Sequence, residues 1–359
     1  VNAAPVVIEK NIDPNAQAHT TRLMAWRRCS AEMAVGLGSV WGMAGSLASM
    51  ANPPAFELGA ARVVRADMHA VLLALLAGLG SGVAPEVRTT LDVPYTDSGH
   101  PRHRLDVYAP VGADRAPVVV FFHGGGWRTG DKRQAIQGKE RVLPAAGFVL
   151  VSANYRLAPE HRYPAFVEDA TAAVGWVHRN IGRYGGDPKR LFVMGHSAGA
   201  HLAACLGADP RWLGKHGLKP ADLLGAVPLD GGGMRVSEAA QARSPILAGI
   251  YRQAFGDDPS VWDDASPLIQ VRRAERPSDF LLVVAGRGLM GLPRADRRSR
   301  EQAEEFAAAI RAKGARAEVS FWPDLDHGGA NAMVGNPDHP LSKKVVAWMR
   351  ERAQSAMRR

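Results

Sequence analysis

From about Arg88 onward, short apolar runs alternate with segments whose apolar residues recur at helical spacing. Thr89–Tyr95 and Arg104–Tyr108 alternate polar and apolar positions, which predicts a half-exposed opening hairpin. The runs that follow are apolar almost throughout: Val118–Phe122, Phe148–Val151, Leu191–Met194, Leu223–Leu229 and Phe280–Ala285. Such runs fit strands buried on both faces, as in a mostly parallel sheet covered by helices. Glu318–Trp322 supplies a last strand, and helices are predicted most clearly over Phe166–Ile181, Arg297–Ala312 and Ser342–Met357. The reading is one α/β domain over residues 88–359, without internal repeats.

Residues 1–87 differ, being rich in Ala, Gly and Met with two apolar stretches, Met33–Met50 and Ala70–Leu79. The second has an apolar core of about ten residues, too short to span a bilayer. A pair of amphipathic helices packed over the mouth of the active site is the expectation, with a cytoplasmic location and no stable membrane span. A translation start near Val63 or Met68 would instead make Ala70–Leu79 an export signal.

Composition adds mainly exclusions. With 46% hydrophobic and 22% charged residues, the 359-residue chain has the profile of a globular protein able to build its own core. Its two cysteines, Cys29 and Cys205, stand far apart and outside any Cys/His cluster, so neither a disulfide framework nor a metal is implied. The net charge of +9 comes from scattered Lys and Arg with no aromatic-interleaved basic stripe, which argues for a solvated basic surface and against nucleic-acid binding.

Against that background one motif stands out by position. Gly195-His-Ser-Ala-Gly199 follows the strand Leu191–Met194 and runs straight into the helical stretch Ala198–Leu206. A strand, sharp turn and helix around G-x-S-x-G hold the serine out at the top of a sheet, which makes Ser197 the candidate nucleophile. Upstream, His123-Gly-Gly-Gly-Trp127 follows the strand Val118–Phe122, where backbone N–H donors for a tetrahedral oxyanion belong. The amides of Gly125, Gly126 and Ala198 are the expected donors, with His123 bracing the loop.

A serine hydroxyl needs a base, and twelve histidines compete for the role. Chain order in this kind of site runs Ser, then acid, then His, with the His after the final strand. His327 stands there, and His339, in the polar turn Asn336–Pro340, is its competitor. The acid should follow Phe280–Ala285, yet the first carboxylate in that loop is Asp296. Asp296 is the expected acid, with Asp324, Asp326 and Asp230 as alternatives.

Leu91–Arg352 resembles the hormone-sensitive-lipase-like and feruloyl-esterase-like carboxylesterases of the α/β-hydrolase superfamily. The resemblance rests on His123–Trp127, on Asn154-Tyr-Arg-Leu-Ala-Pro-Glu-His161 and on the run Gly186–Gly199. It implies an α/β-hydrolase fold and hydrolysis of small-acyl carboxylic esters without metal or organic cofactor. It assigns Ser197, His327, Gly125, Gly126 and Ala198 the roles already read from the residues. Arg294-Ala-Asp-Arg-Arg-Ser-Arg-Glu-Gln302 resembles the acid-bearing segment of some relatives, although many carry an Asp sooner after the position of Gly286. Tyr155 and Glu160 are expected to anchor their loop by hydrogen bonds. The same apparatus serves amide-type hydrolases such as arylformamidases, and plant gibberellin receptors resemble this fold while having lost the catalytic histidine; here His327 is present.

Overall fold

The computed structural model describes residues 86–288 and 298–358 of the chain. Both apolar stretches of the N-terminal extension, and Asp296, lie outside the described residues.

Eight strands form one sheet: β1 (Val87–Pro94), β2 (Arg104–Pro110), β3 (Ala116–Phe122), β4 (Val149–Ala153), β5 (Gly186–His196), β6 (Leu223–Leu229), β7 (Phe280–Ala285) and β8 (Ala317–Trp322). Their order is β1-β2-β4-β3-β5-β6-β7-β8. The predicted hairpin is antiparallel, β2 also pairs antiparallel with β4, and every pairing from β4 through β3 to β8 is parallel. The apolar runs are thus strands of one mostly parallel sheet, and the arrangement is the α/β-hydrolase fold that the resemblance implies.

Helices cover both faces: α1 (Lys139–Ala145), α2 (Ala165–Asn180), α3 (Ala198–Ala208), α4 (Val236–Ala240), α5 (Pro245–Phe255), α6 (Arg298–Ala312), α7 (His327–Ala332) and α8 (Pro340–Met357). The period-2 geometry of a strand splits β3 between two cores. Val118, Val120 and Phe122 pack with Phe166, Val174 and Val177 of α2, Leu202 and Leu206 of α3, and Phe306 and Ile310 of α6. Val119 and Phe121 face the other way, toward Leu143 of α1 and Leu341, Val345 and Met349 of α8. Each such side chain contributes about 1.5–3 kcal/mol by leaving water, so both faces hold the sheet rigid beneath the loops.

The parallel strands β3, β5, β6, β7 and β8 share one carboxyl edge, where Phe122, His196, Leu229, Ala285 and Trp322 end their strands. In open α/β sheets ligands bind at that edge. Every candidate site residue that is described lies on a segment leaving it.

Candidate active site

Ser197 turns the chain from β5 into α3 with φ 55° and ψ −114°, a left-handed conformation that a side chain rarely adopts. Both motif glycines are there for space rather than for φ. A Cβ on Gly195 would sit 2.1 Å from the Gly199 carbonyl oxygen, and one on Gly199 would sit 2.1 Å from the Phe122 oxygen. The turn is tied down by the Ser197 amide donating to Leu229 O at 3.1 Å, and by Ala200 N and His201 N donating to Ser197 O.

His327 opens α7, just after β8, and its Nε2 lies 2.9 Å from Ser197 Oγ. Its Nδ1 lies 2.7 Å from Asp230 Oδ2. A carboxylate only accepts, so the proton between them sits on Nδ1 and leaves Nε2 as the acceptor of the serine hydroxyl. Asp230 is 2% exposed at the end of β6, and its Oδ1 accepts from Ala285 N at 2.9 Å. The carboxylate that meets His327 thus comes from β6, the strand beside the one that ends at Ser197.

The imidazole is held from behind as well. His196, the residue before Ser197, donates from Nε2 to His327 O at 2.8 Å. Burial pushes the His196 pKa down to about 4, which keeps that ring neutral at ordinary pH and Nε2 protonated for the bond.

In the His123–Trp127 loop, Gly125 (φ 114°) and Gly126 (φ 60°) take backbone conformations open to glycine, and a Cβ on Gly125 would fall 2.3 Å from Thr129 O. His123 braces the loop: Nδ1 donates to Gly124 O at 2.7 Å and Nε2 accepts from Arg102 at 3.0 Å. Its ring stacks on Tyr155, with centroids 4.3 Å apart, and the Tyr155 hydroxyl donates to His123 O at 2.8 Å. Arg102 also donates to Tyr155 O and Gly130 O, so one guanidinium joins three segments. Trp127 closes the loop by packing edge-on against Phe255 and Tyr251 of α5.

A cavity of about 550 Å³ opens over Ser197 and His327, with Gly125, Gly126 and Ala198 in its wall. Its apolar side comes from Trp127 and from Ala239, Leu247, Ile250 and Tyr251, with Glu238 and Gln302 on a polar side.

The remaining sequence candidates are placed elsewhere. His339 caps α8, its Nδ1 accepting from Leu341 N at 3.1 Å. Asp326 caps α7 through Gly329 N, and the Asp324 side chain is 91% exposed. Tyr155 anchors its loop as expected, whereas Glu160 is exposed and makes no side-chain hydrogen bond among the described residues, because its turn faces solvent. Sequence reasoning missed His196 and Arg102; it points to Arg235–Arg273 as shaping the pocket, where α4 and α5 line the cavity, but does not show their form. Asp230 carried a readable signal: it ends an apolar run and precedes Gly231-Gly232-Gly233.

Comparison with known proteins agrees with this fold. The profile of a family described as having the alpha/beta hydrolase fold matches residues 119–331. The chain is 43% identical over 109 residues to carboxylesterase NlhH of Mycobacterium tuberculosis, covering 30% of this chain and 34% of that one. It is 34% identical over 248 residues to esterase LipQ of the same organism, covering 65% of this chain and 55% of that one. The matched part therefore spans between about a third and just over half the length of these curated relatives. Among solved structures, a hyperthermophilic esterase from the archaeon Pyrobaculum calidifontis is 26% identical with a TM-score of 0.60, covering 82% of this chain and 93% of that one.

Proposed function

Since the chain belongs to the family with the alpha/beta hydrolase fold, we propose that it is a serine carboxylesterase acting on small-acyl esters through an acyl-enzyme. The observation that carries this reading is the unbroken hydrogen-bond chain from Ser197 Oγ through His327 to Asp230. Esterase relatives and an esterase structure support the reaction class.

In this mechanism Nε2 of His327 takes the Ser197 proton as Oγ attacks the ester carbonyl. The carbonyl oxygen becomes an anion held by the amides of Gly125, Gly126 and Ala198. On collapse, His327 returns the proton to the departing alkoxide, releasing the alcohol and leaving an acyl-serine. Water then gives a proton to His327 while its oxygen attacks the acyl carbon; collapse releases the carboxylic acid and restores Ser197. Asp230, in place of the Asp296 expected from the sequence, keeps the imidazole in the required tautomer and stabilises the imidazolium. The apolar wall of Leu247, Ile250 and Tyr251 receives the acyl chain.

The test is a p-nitrophenyl ester panel from acetate to decanoate on wild type and Ser197→Ala, with fluorophosphonate labelling of both. Hydrolysis is expected to favour the short esters, and Ser197→Ala should lose both turnover and label. A wild type inert toward acetate and butyrate, or a fully active Ser197→Ala, would overturn the reading.

A further inference from the structure

Helix α7 is six residues long and carries His327 at its first position. A helix that short does not hold itself in water, so its place is set by tertiary contacts, with Ala330 in the core and polar groups at both ends. Its N-terminus is capped by Asp326, whose Oδ1 accepts from Gly329 N at 2.6 Å. The opposite end is met by a buried lysine.

Lys139, the first residue of α1, is 0% exposed. Its Nζ donates to Asn331 O at 2.8 Å, to Asn331 Oδ1 at 2.8 Å and to Ile136 O at 3.2 Å. Three ammonium hydrogens thus meet three carbonyl oxygens. A cation beside the last carbonyls of a helix also matches the negative end of its dipole. Asn331 completes the junction by donating from Nδ2 to Ala135 O and Gln137 Oε1, both at 2.8 Å. The backbones are pressed together beside it: a Cβ on Gly138 would lie 2.5 Å from Gly335 O, and one on Gly335 1.8 Å from Gln137 O. Burying a charge against neutral carbonyls costs free energy that an apolar side chain in the same place would not. What Lys139 provides in return is a fixed distance between α1, seated on the rigid sheet, and the helix that carries His327.

We propose that Lys139 is a positioning residue for His327: acting through Asn331, it pins the far end of α7 and so aims the imidazole at Ser197. This rests on the reading of Ser197 and His327 as the acylating pair. Misplacing a reacting group by about 1 Å costs up to about 100-fold in rate, and the loss falls on the chemical step rather than on ester binding.

The experiment measures kcat and KM on p-nitrophenyl butyrate and the rate of fluorophosphonate labelling. It compares wild type, Lys139→Met, Asn331→Ala and the double variant, with a thermal melt of each. Each single variant should lower kcat and the labelling rate by about 10- to 100-fold with KM changed by less than about 2-fold. The double variant should be no slower than the slower single, because both act through one junction. Folded variants labelled at the wild-type rate, or losses that multiply in the double, overturn the proposal. Should Lys139→Met lose its cooperative melt, Asn331→Ala decides alone, since it leaves Lys139 its two backbone acceptors. A wild type that takes no label overturns the esterase reading and this inference with it, whereas labelled wild type with unaffected variants overturns only the role of Lys139.

Discussion

His327 is bound on both ring nitrogens, and the partner on Nδ1 decides what Nε2 can do. An amide in place of the Asp230 carboxylate could donate to Nδ1 and turn the tautomer round, leaving Nε2 protonated and unable to accept from Ser197. Asp230→Asn is therefore expected to lower kcat on p-nitrophenyl butyrate by on the order of 10⁴-fold. Asp296→Asn, assayed beside it, should stay within about 10-fold of wild type; the reverse ranking would return the acid role to Asp296. Sequence reading favours Asp296 because the acid is expected on the loop after Phe280–Ala285, and Asp296 is the first carboxylate there. Asp230 and His327 are 97 positions apart, and any strand end at the carboxyl edge can supply such a carboxylate.

The turn at Ser197 between β5 and α3 is an element whose requirements are local and steric. Gly199 has no left-handed φ to protect, yet its Cβ would overlap Phe122 O and His123 O, and both of these are backbone atoms that cannot swing aside. Gly199→Ala should destabilise by about 1–3 kcal/mol or more through forced backbone shifts. Gly182→Ala, where nothing lies within 4 Å of the added methyl, should melt within about 0.5 kcal/mol of wild type. Chemical denaturation of the two variants checks both. Legibility follows the same division between local and distant causes. The bounds of β6 and β7 match the apolar runs residue for residue, because a strand buried on both faces has no other way to look. Helix α2 shows its buried stripe at Phe166, Ala170, Ala173, Val174 and Val177, and is legible within a residue. Helix α1 is not: it is seven residues long with Pro144 inside, and Leu143 and Lys139 hold it only by being buried. Helix α4, of five residues, is equally short of a period to read.

Across the whole molecule, His123 and His201 are buried and His196 is half-buried, all as neutral rings, each pushed down from 6.5 to about 4 by desolvation. The unfolded chain binds protons on these rings near pH 6.5, whereas the folded chain binds them only near pH 4. Their stabilisation is therefore present above pH 6.5 and lost as pH falls toward 4, at about 1.4 kcal/mol per pH unit for each ring. Urea midpoints should fall steeply from pH 6.5 to 4.5, and His201→Asn should flatten that slope by one proton without touching the triad. Among the described residues no helix is long and apolar enough to cross a membrane. The strands themselves, the elbow at Ser197 and the loop at His123–Trp127 could be read from the chain alone, because each is written in neighbouring residues through burial pattern or steric necessity. The partner of His327, the bond from His196 and the reach of Lys139 to Asn331 could not. Each joins groups far apart in the chain, 192 positions for Lys139 and Asn331, and only packing around the sheet decides which of many polar side chains arrive at the same place.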